Sequence, residues 1–133
     1  MTDVRSMPCS SCPYRTDVPS GVWAAHEYDK LRDYDAPTAE QPFAPFMCHA
    51  TPENYCHGWA VCHTNRGNEH YLIALRLAGY PDIPEAGVEL FASGNEAADH
   101  GQADILEPST DAKATVARLM RKYERLQYED GTR

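Results

Sequence analysis

Nowhere in these 133 residues is there an apolar run approaching the roughly 20 residues that cross a bilayer. The opening MTDVRSMPCSS has no apolar segment of signal-peptide type either, so no membrane partner is expected and the sequence predicts a cytoplasmic protein. Positive charge is scarce: 12 Lys and Arg stand against 20 Asp and Glu, a net charge of −8. That balance argues against nucleic acid as a partner of the whole surface, because affinity for phosphate backbones comes largely from Lys and Arg. A Gly-rich dinucleotide loop, HExxH and GxSxG are all missing, which argues against an enzyme. Apolar runs are short and punctuated by ten prolines, so a chain of this length forms one modest core at most and would gain from a staple. One domain over residues 1–133 is the expectation.

What the chain does have is five cysteines in two patches, PCSSCPYR and MCHATPENYCHGWAVCH. An odd, clustered set in a reducing compartment is better explained by metal ligation or thiol chemistry than by disulfides. Cys9 and Cys12 form a CxxC pair that can bring two thiolates to one centre from a tight turn, and Pro13 stops a helix from following. Prolines 37, 42 and 45 keep the chain extended through PFAPFMC to deliver Cys48, with Phe43 and Phe46 expected beside the site. Pro52 and Asn54 form a turn composition that can fold Cys56 back toward Cys48.

A helix is predicted from Cys56 through Trp59 and Val61. On it, Cys62 points about 120° away from Cys56, and His63 shares the face of Cys56 but lies about 10 Å further along the axis. The economical ligand set is therefore Cys9, Cys12, Cys48 and Cys56. Cys62 is expected to act as a small buried apolar residue, and it, His49 and His63 are candidates for supporting positions around the site. One compact pair with two ligands separated by seven residues suits the larger span of an iron–sulfur cluster, expected as 4Fe–4S, better than zinc, which remains the alternative. CHGWAVCH has the wrong spacing for haem attachment, and a cysteine nucleophile would need a base that the Cys48–His49 adjacency does not place.

The fold class expected is mainly α, a small single domain with irregular loops stapled by the metal or cluster site. A helix begins at Ser20 as N-cap and carries Trp23, Leu31 and Tyr34 to the core. The residues before Ser6 are expected to be loose until the first ligand pair holds them. Asn68 caps a helix in EHYLIALRLA with Tyr71, Leu72, Leu75 and Ala78 buried, ending at Gly79. One or two helical turns begin near Ser93. The last helix is capped by Ser109 or Thr110 and buries Val116, Leu119, Met120, Tyr123 and Leu126. Lys113, Arg118, Arg121, Lys122 and Arg125 gather there against one acidic residue, leaving seven basic and nineteen acidic residues elsewhere. They are either a solvated face or a docking surface, for which an acidic protein is favoured over nucleic acid.

PCSSCPYRTDVPSGVW, FMCH, CHGW and LIALRLAG together resemble a small cysteine-rich family of uncharacterised proteins from actinobacteria and their phages. The resemblance covers about the N-terminal 60% of the chain, and it implies that Cys9, Cys12, Cys48, His49, Cys56 and Gly58 recur. CPYRTDVPSGVW is also similar to WhiB-like iron–sulfur regulators, although this chain lacks their third closely following cysteine and the second glycine pair of their turn. From these features a cluster-binding regulator or adaptor acting by protein contact is expected. A structural zinc domain and an electron-transfer protein are the alternatives.

Overall fold

Five helices organise the described residues: α1 Ala25–Asp33, α2 His57–Thr64, α3 Ile73–Leu77, α4 Gly94–Ala103 and α5 Thr110–Gly131. Two short 3-10 turns, Thr38–Glu40 and Asn68–His70, interrupt the loops. The computed structural model describes residues 2–131, with side chains to residue 125. Within that span there is no strand, and three isolated bridges take the place of a sheet.

The core forms where α1, α2 and α4 meet. Leu31, Tyr28 and Tyr34 pack with Trp59, Ala60, Leu72, Leu75, Ala97 and Ala98, all buried. α4 lies against α1 so closely that a Cβ on Gly94 would come within 1.9 Å of the Leu31 carbonyl oxygen, and one on Gly101 within 2.1 Å of the Tyr28 ring. Glycine at both positions lets the helices touch through backbone and ring. Ser93 caps α4 through its hydroxyl, which accepts from Glu96 N at 3.1 Å. The Asp35 carboxylate accepts from Gly94 N and Asn95 N, at 2.7 Å each.

Several elements depart from the sequence reading. α1 starts at Ala25 with Ala24 as its cap, without a side-chain bond. Ser20 instead donates to Gly101 O at 3.0 Å and accepts from Asp104 N at 2.8 Å, so its hydroxyl closes the end of α4. Trp23 consequently precedes the helix and is half-buried. Asn68 opens the 3-10 turn, not α3, whose first amide is met by Gln41 Oε1 at 2.8 Å from Ile73 N. Phe43 is 70% exposed, while Phe46 is buried as expected. The N-terminal residues are pinned independently of Cys9 and Cys12. Val4 is buried and bridges Tyr55, Arg5 N donates to Tyr55 O at 3.0 Å, and Tyr55 N donates to Asp3 O at 3.0 Å. The chain past Cys12 is tied too, by Phe91 N donating to Tyr14 O at 2.9 Å.

α5 carries its own N-terminal cap, Ser109 Oγ accepting from Ala112 N at 3.1 Å. Its first turns pack Ala112, Val116 and Leu119 on Val18, Val22 and Trp23. Beyond them the expected burial fails: Met120 is 50% exposed and Tyr123 58% exposed, because the body ends before the helix does. Leu126 lies outside the described side chains. No helix among the described residues is long and apolar enough to cross a membrane.

Candidate metal centre

The turn Cys9–Cys12 is closed by Cys12 N donating to Cys9 O at 3.1 Å, which holds both side chains on its inner side. The second patch is a hairpin-like loop: Cys48 N donates to Asn54 O, Asn54 N to Thr51 O and Cys56 N to Phe46 O, each at 2.9 Å. Cys56 then becomes the N-cap of α2, its sulfur accepting from Trp59 N at 3.5 Å. Cys9, Cys12, Cys48 and Cys56 are all buried and none is in a disulfide.

The four meet as two pairs. Cys12 and Cys56, 44 residues apart, place their sulfurs 3.8 Å from each other. Cys9 Sγ lies 3.8 Å from Ser11 Oγ, and Cys9 and Cys48 influence each other's titration. Within each pair one thiolate is stabilised at the other's expense. Cys48 is pulled down to about 4 by the Cys9 thiol, while the Cys9 thiol is pushed well up. Cys12 is lowered by the Cys56 thiol and Cys56 is raised. Within each pair the lowered thiol is thus the first to lose its proton and the raised one the second. Among the described residues, no group of three or more His, Cys, Asp or Glu stands at the spacing that grips a single ion.

Trp59 N donates to Cys56 Sγ at 3.5 Å, and backbone amides of Ser11 near Cys9, of Tyr14 and Gly58 near Cys12, and of Ala50 and Thr51 near Cys48 favour the thiolate forms. The first amides of α2 supply part of this, where the helix dipole also favours negative charge. Gly58 makes the approach possible, since a Cβ there would come within 2.6 Å of Cys12 Sγ and 2.8 Å of Tyr14 Cβ.

Cys62 stands apart. Its thiol is buried on the far side of α2 and pushed up to about 12, first by that burial and then by Asp35. It borders a cleft of about 700 Å³ with Ile83, Leu90 and Phe91. His63, fully buried, bonds to the Tyr14 hydroxyl at 2.8 Å through Nε2. With Tyr14 donating, the ring proton sits on Nδ1, 3.5 Å from Asp35 Oδ1. Burial holds this imidazole down at about 4. His49 stacks on Trp23 with centroids 4.0 Å apart and lies 3.6 Å from Glu27 Oε2. Neither histidine joins the sulfur cluster as a hydrogen-bond partner.

Sequence reasoning passed over Tyr14, Asp35 and His57. Tyr14 follows the CxxCP turn directly and is fully buried behind Cys12, which its place in the motif could have suggested. His57, next to Cys56, is spent on Arg5 O at 2.7 Å. Of the five basic residues singled out on α5, Arg118, Arg121, Lys122 and Arg125 border a second cleft and Lys113 does not.

A family model described as "Family of unknown function (DUF6283)" matches residues 4–121. The chain belongs to that family. No curated protein and no solved structure matches it.

Proposed function

We propose that this member of a family of unknown function holds an iron–sulfur cluster on Cys9, Cys12, Cys48 and Cys56, and works as a regulator or adaptor through protein contact. The observation that carries the reading is the donor set: four buried thiols, none in a disulfide, with the Cys12 and Cys56 sulfurs 3.8 Å apart and Trp59 N donating to Cys56 at 3.5 Å. Amides directed at sulfur lower the charge carried by thiolates and tune cluster potentials, and a purely apolar core has no use for them.

The two-and-two arrangement favours a 2Fe–2S cluster over the 4Fe–4S form. Two thiolates on one tetrahedral ion lie about 3.8 Å apart for a metal–sulfur bond of about 2.3 Å, and Cys12 and Cys56 stand at 3.8 Å. In a 2Fe–2S cluster one iron would be held by Cys12 with Cys56 and the other by the remaining two, Cys9 with Cys48. Such a cluster supplies one-electron redox chemistry. Zinc is the second reading, favoured by the same 3.8 Å separation.

The similarity of CPYRTDVPSGVW to WhiB-like regulators supports contact over catalysis, and reduced thiols suit a cytoplasmic setting. The partner we favour is an acidic protein meeting the cations of α5, ahead of nucleic acid. Metal and sulfide analysis of protein purified without oxygen tests the reading. About two irons and two sulfides per chain, with a visible band that dithionite bleaches, are expected. One zinc and no iron would replace the cluster by a structural ion. Steady turnover between an electron donor and acceptor would make the protein a carrier.

A further inference from the structure

Between α5 and the cysteine loops lies a cleft of about 900 Å³. One wall is built from the loops themselves: Ser10 and Ser11 sit between Cys9 and Cys12, and His49 and Ala50 follow Cys48. The other wall is the exposed part of α5. Arg118, Arg121, Lys122 and Arg125 recur there at i, i+3, i+4 and i+7, which gathers them within an arc of about 100° on one helix face. In a chain of net charge −8, no carboxylate among the described residues borders this cleft. Beside the cations, Met120 and Tyr123 also border it and are left half-exposed.

Resting on the partner reading above and deepening it, we propose that this cleft seats an extended acidic segment of another protein, anchored by an apolar side chain, and that the cysteine loops form its floor. The charge argument selects an anion, and the layout selects a peptide. The four cations are spread over about 10 Å of helix and do not converge on one point. Phosphate groups are commonly cradled by backbone amides at glycine-rich turns or helix N-termini. This lining has no glycine, and α5 enters it well past its first turn, where the amides serve the helix. Spaced carboxylates match spaced cations, and the half-exposed Met120 and Tyr123, which border the cleft from another side of the helix, offer an apolar contact. Because Ser10, Ser11, His49 and Ala50 are carried by the same loops as Cys9, Cys12 and Cys48, the shape of the floor follows the state of the thiols. The occupant therefore binds the metal-loaded form more tightly than the metal-free form.

The test is fluorescence anisotropy with a labelled peptide in which Glu–Asp pairs alternate with Leu, against a control peptide with Gln and Asn in place of the acids. The acidic peptide is expected to bind at low salt with a Kd of about 10 μM and to weaken roughly tenfold at 0.3 M salt. Replacing Arg118, Arg121, Lys122 and Arg125 together by Gln should abolish binding while leaving metal content and helicity unchanged. Pro52→Glu, which puts a carboxylate on the opposite wall, should weaken it about tenfold. Equal binding of the control peptide, displacement by tripolyphosphate at lower concentration than by acidic peptide, or self-association of the protein through α5 in light scattering would overturn the proposal. Cys48→Ser should lose metal and peptide together; peptide affinity that survives metal loss refutes the coupling to the loops. If the protein proves to hold no metal but the Gln variant still loses the peptide, the cluster reading fails and the cleft stands.

Discussion

α2 and α5 bury very different shares of themselves. Of the eight residues of α2, six are buried: His57, Gly58, Trp59, Ala60, Cys62 and His63. In the 22-residue α5 only Ala112 and Thr115 are buried among the described side chains. A helix as short as α2 does not form alone in water, so tertiary packing and the sulfur caps must hold it. α5 is long enough to draw on its own hydrogen-bond ladder and its Ser109 cap, and its outer turns ask nothing of the body. Perturbations near α2 should accordingly reach the whole fold, whereas those on the outer turns of α5 should remain local.

The largest effect should come from removing the proposed metal. Because binding energy at such a site is also folding energy, metal-free protein is expected to melt more than about 10 °C lower. The pairing of Val4 with Tyr55 should keep the N-terminal segment attached even so. Identical melting curves with and without metal would contradict this. Cys62→Ala should keep full metal content, while Ala at any of the other four cysteines should lose it. If Cys62→Ala empties the site and Cys56→Ala does not, the ligand set is wrong.

Next in size are the glycines. Gly94→Ala forces a Cβ toward the Leu31 carbonyl and should cost about 3 kcal/mol in urea unfolding, since backbone on both sides must move. Gly58→Ala should displace Cys12 and lower metal content more than it lowers stability. A Gly58→Ala protein that loads metal normally would show that α2 does not form the wall of the site.

The acid response of metal-free protein isolates His63. Its imidazole is held at about 4 in the folded state, against about 6.5 when unfolded. Between those values the unfolded chain binds the extra proton, so stability is fully present above about pH 6.5 and is lost as pH falls toward 4. The loss should be about 3 kcal/mol. His63→Gln should flatten the urea midpoint across that window; an unchanged slope would assign the acid response to other groups. The smallest effect should come from Arg118, Lys122 and Arg125 changed together to Gln, with thermal stability moving by less than about 2 °C. A larger drop would mean that the cationic face is structural and not reserved for contact.

The sequence by itself determined the features set by neighbouring residues. The start of a helix near Ser93, the start of α5 at Ser109 or Thr110, the end of α3 at Gly79, the turn between Cys48 and Cys56 and the helix that follows all depend on short-range chemistry, and each is visible in a few letters. The cysteine patches marked the candidate site for the same reason. Tertiary structure decided whatever depends on partners distant in the chain. Ser20 has the composition of a cap for α1 but is taken by Gly101 and Asp104, because the end of α4 packs over it. Met120 and Tyr123 have the spacing of a buried stripe, yet spacing records which residues share a face and not how far the opposing surface extends. The pairing of Cys12 with Cys56, the fit of Gly58 against that sulfur and the cleft between α5 and the cysteine loops arise from contacts across the fold, which no local pattern encodes.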